Sequence, residues 1–144
     1  MPDVSKTVLV PFSAKQMYDL VAKCEDYPAF LPWCAGGRIL DQKDNIVSAE
    51  LEIDFKGIKQ SFSTRNVNVP GECIEMRLLS GPFRSLEGRW RFIALSAEAC
   101  KVEFRLDYHF SSGLLEKVIG PVFAHITATF VDSFVVRAEA VYLK

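Results

Sequence analysis

"NIVSAELEIDFKGIKQSFSTRNV", Asn45–Val67, decides how this chain folds. Val47, Ala49, Leu51, Ile53 and Phe55 alternate with Ser48, Glu50, Glu52 and Asp54, the period of two that a half-buried strand requires. Lys56-Gly57 interrupts the run, and a second extended segment, "IKQSFSTRNV", follows at once, which reads as a hairpin with a two-residue turn. Antiparallel pairing with one apolar face is therefore the starting point.

Downstream the same period continues. "ECIEMRLLS" sets Ile74, Met76 and Leu78 against Glu75 and Arg77; "RSLEGRWRFIAL" sets Leu86, Gly88, Trp90 and Phe92 against Glu87, Arg89 and Arg91. "CKVEFRLDYHF" places Val102, Phe104, Leu106, Tyr108 and Phe110 on one side, and Lys101, Glu103, Arg105, Asp107 and His109 on the other. With "GGRIL" before them and "KTVLVPF" opening the chain, about seven strands are expected.

Two stretches break this rhythm. "SAKQMYDLVAKC" has helical spacing, with Ser13 and Gln16 fitting a capping box, Phe12 able to staple onto Met17, and Ala14, Met17, Leu20, Val21 and Cys24 on one face. "EDYPAFLP" predicts a shorter helical turn capped by Asp26 and ended by Pro32. From Ser111 onward the chain turns helical: Leu115, Ile119, Val122, Ile126, Phe130 and Phe134 trace one stripe. Gly120-Pro121 within it predicts a kink or a restart. The expected fold class is α+β, a curved antiparallel sheet covered by one long terminal helix, with two short helices after strand 1.

At 144 residues, 49% hydrophobic and 24% charged, the chain suits a single domain, residues 1–144. A net charge of −1 supplies no general attraction to nucleic acid, and no DNA partner is expected. Four scattered cysteines without CxxC and only two histidines give no metal-ligand spacing. "MPDVSKTVLV" has no apolar leader core, and no apolar run approaches the ~18 residues that span a bilayer, so a cytoplasmic protein with free thiols is expected.

"DYPAFLPWC", Asp26–Cys34, is too greasy for a simple turn. Together with "QMYDLV" before it, "FKGIKQSFSTRN", "GPFRSLEGRWRF" and a closing "FVVRAEAVY", it resembles the START-related coenzyme Q-binding family along essentially the whole chain. That family includes mitochondrial ubiquinone-binding chaperones and bacterial RatA-type ribosome-association proteins. The resemblance implies a helix-grip fold whose sheet curls around the terminal helix and leaves an elongated apolar cavity. It also implies a hydrophobic small-molecule partner, ubiquinone or a related polyprenyl lipid, and no catalytic residues or cofactor. Transient contact with the inner face of the membrane and binding to the large ribosomal subunit are the further partners it implies.

The residues expected to meet such a ligand are Trp90, Phe92, Phe104 and Tyr108 on two adjacent strands, with Met76 and Leu78 beside them. Val122, Ile126 and Phe130 face them from the helix, Phe83 sits near the rim, and Phe30, Leu31 and Trp33 form a stiff gate over the mouth. Bulky rings separated by small residues such as Gly88 can line a void or interlock into a solid core, and Phe30 and Trp33 can equally plug a corner of that core. Each five-carbon isoprene unit contributes about 3–4 kcal/mol when buried, so two or three reach roughly micromolar affinity without a charged contact.

Other chemistry is thinly represented. GxSxG, P-loop, GxGxxG and HExxH are absent. Asp107-His109 reads as a half-solvated pair and His125 as a packing histidine, while Cys34 is a thiol whose only nearby cation in sequence is Arg38. Arg77, Arg84, Arg89 and Arg91 either form a basic stripe for phosphates or pair with Glu75, Glu87 and Glu103 across strands. A polyketide cyclase/dehydrase-like enzyme is the remaining alternative, by analogy of fold.

Overall fold

The computed structural model describes residues 3–143. Seven strands form one antiparallel sheet: β1 (Asp3–Val10), β2 (Cys34–Lys43), β3 (Ile46–Phe55), β4 (Ile58–Val69), β5 (Cys73–Ser80), β6 (Phe83–Ser96) and β7 (Ala99–Phe110). Their order is β1-β7-β6-β5-β4-β3-β2, so the chain crosses from β1 to the far edge and meanders back until β7 pairs with β1. Two helices, α1 (Ala14–Ala22) and α2 (Gly113–Tyr142), and a 3₁₀ helix, Cys24–Ala29, complete the α+β fold expected from the sequence.

The hairpin that fixed the fold class forms as read. Phe55 pairs with Ile58, and Lys56 and Gly57 both take positive φ, 51° and 81°, the left-handed pair that matches the twist of the flanking strands. The next strands keep their alternation: Cys100, Val102, Phe104, Leu106, Tyr108 and Phe110 are all buried along β7.

The capping box of α1 is also present. Gln16 N donates to Ser13 Oγ at 3.1 Å and Ser13 N donates to Gln16 Oε1 at 2.9 Å. The buried face is Ala14, Met17, Tyr18 and Val21, with Leu20 only half-buried. The segment after it differs from expectation: Lys23, not Asp26, precedes the first turn, and the turns are tight, with Asp26 N donating to Lys23 O and Phe30 N to Tyr27 O. Pro28 lies inside the segment and has no N–H to extend an α-helical ladder. Gly37 lets β2 pass beneath, since a Cβ there would run into the Cys24 carbonyl.

α2 is one continuous helix, capped by Ser112 Oγ accepting from Leu115 N at 3.2 Å; the restart expected at Pro121 does not occur. Pro121 faces solvent while Ile119, Val122 and Phe123 on either side of it are buried, so tertiary packing holds the helix through the missing donor. By length and composition α2 is apolar enough to cross a bilayer, contrary to the expectation of no such run, because charges are sparse along it and residues 118–131 carry none. Here one face of it lies on the sheet. Lys6 Nζ meets Asp132 at 3.3 Å, the Tyr142 hydroxyl donates to the Gln16 carbonyl at 2.9 Å, and the Tyr142 ring packs on Phe12. The backbone of α2 approaches β7, β1 and α1 most closely, and the β2–β5 half of the sheet arches away from it.

Candidate functional site

The two halves of the concave sheet are filled differently. Under the N-terminal part of α2, β6 and β7 contribute interlocking rings: Phe83 lies 5.0 Å from both Phe110 and Phe123, and Tyr108 lies 4.7 Å from Phe123. Phe92 is covered by Tyr18 of α1, ring centroids 5.9 Å apart. On β3 and β4 the inward positions include the smaller or polar Ala49, Thr64, Asn66 and Asn68, and there the interior is hollow.

That hollow contains about 880 Å³ of atom-free space with its open mouth included, of which about 90 Å³ is open to the centres of water molecules. One water needs about 10–15 Å³ by the latter measure, so several would fit. Trp33, Met76, Trp90, Phe104, Ile126 and Phe130 line it, six of the residues expected at a ligand. Trp90 forms the floor, its ring 4.5 Å from Phe104 and 5.6 Å from Phe130.

The other expected residues lie outside the cavity wall, each for a visible reason. Phe83, Phe92 and Tyr108 are consumed by the ring clusters just described, and Val122 is buried beside them on α2. Leu78 sits at the C-terminal end of β5, opposite Thr64. Leu31 is 1% exposed, a core residue. Phe30 packs edge-on to Tyr27 and Phe134 at 6.0 and 5.2 Å, and the Arg137 guanidinium covers it at 5.1 Å. "DYPAFLPWC" therefore turns its aromatic surface inward and presents little of it to a membrane or partner.

Sequence reasoning missed the opposite wall: Ile39 on β2, Val47, Ala49 and Leu51 on β3, Phe62, Thr64, Asn66 and Asn68 on β4, and Val21, Ala22, Cys24 and Tyr27 from the helical segments. The alternation of β3 and β4 carries the signal, but their inward side chains are mostly smaller than the rings that mark β6 and β7. At Gly88, where the sequence allowed either a void or a solid core, the neighbours close in: a Cβ there would stand 2.7 Å from Met76 Cε and 2.9 Å from Leu106 Cδ1.

The wall carries no charge. Its titratable groups are Cys24 and Tyr27, and burial holds both neutral: the Cys24 thiol is pushed up to about 11, and the Tyr27 hydroxyl, which donates to the Val21 carbonyl, lies well above its ordinary value. Both therefore stay protonated near neutral pH, and neither supplies a general base there. Cys34 is buried, its thiol donates to Gly36 O at 3.3 Å, and desolvation raises its pKa. Arg38, its only nearby cation in sequence, is engaged by Glu50 and Glu52 across β2–β3.

Outside the cavity, the arginines of the convex face are interleaved with acids. Arg89 lies 4.0 Å from Glu75 and Arg91 lies 3.4 Å from Glu103. His125 is exposed and stacked flat on Phe55, and His109 stands on the outer face of β7 opposite Ser85. Among the described residues no cluster of His, Cys, Asp and Glu could hold a metal ion.

Comparison with known proteins agrees with this geometry. Residues 10–135 match the family described as polyketide cyclase / dehydrase and lipid transport. The ribosome association toxin RatA of Escherichia coli is 45% identical over 142 residues, covering 99% of this chain and 90% of that protein. The coenzyme Q-binding protein COQ10 homolog B of Xenopus laevis is 27% identical, covering 97% of this chain and 59% of that one. Among solved structures, the Zhui aromatase/cyclase from Streptomyces superposes with a TM-score of 0.81 at 19% identity, over 96% of this chain and 93% of that one. At that identity the likeness speaks for fold alone.

Proposed function

The chain belongs to the polyketide cyclase / dehydrase and lipid transport family, and from that premise we propose that it binds a neutral polyprenyl lipid, ubiquinone or a close relative, in the β2–β5 cavity without transforming it. The observation that carries this reading is the wall itself: apolar side chains, a few neutral polar groups and no ionised residue. A charged ligand would lose its hydration there without compensation, whereas an isoprenoid chain gains about 0.8 kcal/mol for each methylene it buries. The space open at rest suits a ring or a short segment, so a long tail must extend through the mouth or spread the walls. The likeness to a coenzyme Q-binding protein supports the same choice. Organic extraction of the purified protein followed by mass spectrometry tests it: a quinone is expected in stoichiometric amount, and an extract without polyprenyl lipid overturns the proposal.

A second activity is supported by the extent of identity to the ribosome association toxin. In this reading the outer surface associates with the large ribosomal subunit in the cytoplasm and hinders subunit joining, and quinone exchange takes place at the inner face of the membrane. Co-sedimentation with large subunits through sucrose, lost at high salt, is the expected result. Migration only at the top of the gradient at low salt overturns it.

The cyclase alternative has less support. Its chemistry requires a base in the cavity, and the titratable groups there are a thiol and a phenol both held protonated.

A further inference from the structure

Both carboxamides of the cavity wall lie on β4. Thr64, Asn66 and Asn68 take alternate positions of that strand and all line the hollow, each about 7 Å from the next as a strand spaces them. The neighbours in register on either side of Asn66 are Val47 of β3 and Met76 of β5, both wall residues, so the polar line runs between apolar columns. Toward the Lys56-Gly57 turn it gives way to aromatic surface, where Phe62 meets Phe123 of α2 edge-on at 6.1 Å.

Asn66 stands at the middle of the line and is held in place. Thr64 Oγ1 donates to its Oδ1 at 2.8 Å, and among the described residues Asn66 has no other side-chain hydrogen bond. A carboxamide carries two N–H donors, and one hydroxyl can take at most one of them, so a donor is left for the hollow whichever way the amide is turned. The other hydroxyls of the wall are engaged elsewhere: Thr127 Oγ1 donates to the Ala124 carbonyl at 3.1 Å and the Tyr27 hydroxyl donates to the Val21 carbonyl. Asparagine also suits a strand poorly, and a valine at this position would complete the apolar wall. A guest that displaces water here must replace its hydrogen bonds or leave a buried donor unpaired, which costs about 1–3 kcal/mol. A plain isoprenoid segment has no acceptor to offer. An oxygen on a ring does.

We infer that Asn66 reads the head of the guest: its amide N–H donates to an oxygen on the ring, Thr64 positions the amide, and the tail runs along Phe62 and Phe123. This rests on the cavity-binding reading above and specifies the residue that distinguishes an oxygenated ring from a hydrocarbon.

Two probes separate recognition of the head from burial of the tail. One is a ubiquinone analogue with a single isoprene unit, isotopically labelled at its carbonyls; the other is prenylbenzene, which keeps a ring and the same tail but has no oxygen. Titration of the purified chain is followed by tryptophan fluorescence, Trp33 and Trp90 both being wall residues. In the infrared, a carbonyl stretch of the bound quinone should lie below its position in an aprotic solvent. Asn66→Leu, close to asparagine in size, should raise the quinone Kd roughly three- to tenfold, return that band to its aprotic position and leave the prenylbenzene Kd in place. Thr64→Val should broaden the shifted band, because the amide is then free to turn, and again leave prenylbenzene unaffected. An unshifted band in the unmodified chain overturns the inference without any variant having to fold. So does an Asn66→Leu chain in which the quinone Kd and band are unchanged, or in which both probes weaken equally, the mark of a structural role alone. If neither probe binds saturably, the cavity-binding reading itself fails and the inference with it, an outcome distinct from equal effects on the two.

Discussion

His125 lies flat on Phe55, ring centroids 5.3 Å apart and planes inclined by 7°. The stack ties α2 to the tip of the β3–β4 hairpin, next to Ile126 and Phe123 in the cavity wall. It is the kind of contact that can part without unfolding anything, since an exposed aromatic pair is worth only about 0.5–1.5 kcal/mol.

His125→Ala should therefore lower stability by no more than about 1 kcal/mol in urea denaturation, while quickening release of a bound quinone several-fold in stopped-flow fluorescence. An unchanged release rate would show that the stack does not restrain the mouth.

Trp33→Ala should cost about 3–5 kcal/mol, the usual penalty for removing a buried tryptophan. Its ring lies 5.9 Å from Phe130 and is nearly inaccessible, so it supports the core as well as bounding the cavity. Denaturation measured beside ligand retention separates the two roles. A loss below about 1 kcal/mol would mean that the corner is not packed as described.

Gly88→Ala should shrink the cavity. The new methyl would press on the ends of Met76 and Leu106, both wall residues, with the Arg105 carbonyl 3.2 Å away preventing retreat. A stability cost of about 1–3 kcal/mol and a weaker quinone Kd are expected. Tighter binding would contradict the placement of Met76.

Alkaline pH should destabilise the chain. The folded Cys24 thiol titrates at about 11 against an ordinary value of 9.0, so above pH 9 the unfolded chain loses its proton first. Folding stability is then full below pH 9 and declines as pH rises toward 11, by about 2–3 kcal/mol from this thiol, in the same direction as Cys34 and Tyr27. Thermal melts of the chain and of Cys24→Ser across pH 8–11 check this, the variant showing the shallower decline.

The fold was legible because alternation and helical spacing are local properties. The Lys56-Gly57 turn, the Ser13–Gln16 box and the stripe along α2 all declare themselves within a few residues. The position of the hollow was not, because it depends on how volumes from distant strands add. Phe92 and Tyr108 face inward as their parity requires and Phe83 does so through the register shift before Ser85, yet they meet Tyr18, Phe123 and Phe110 and leave no room. Space appears instead opposite Ala49 and Thr64, residues whose small size is informative only when their partners across the sheet are known.

The lopsided seating of α2 has a mechanical consequence. Because the helix leans on β1 and β7, strands β2 to β5 are tied to it through side chains alone, among them the Phe55–His125 stack and the edge contact of Phe62 on Phe123, so this half of the sheet is the part that yields when those contacts give way. One scaffold could then accommodate guests of unequal girth, and the strain of doing so would fall on the strand edge farthest from the amino terminus, where amide hydrogen exchange should register it first.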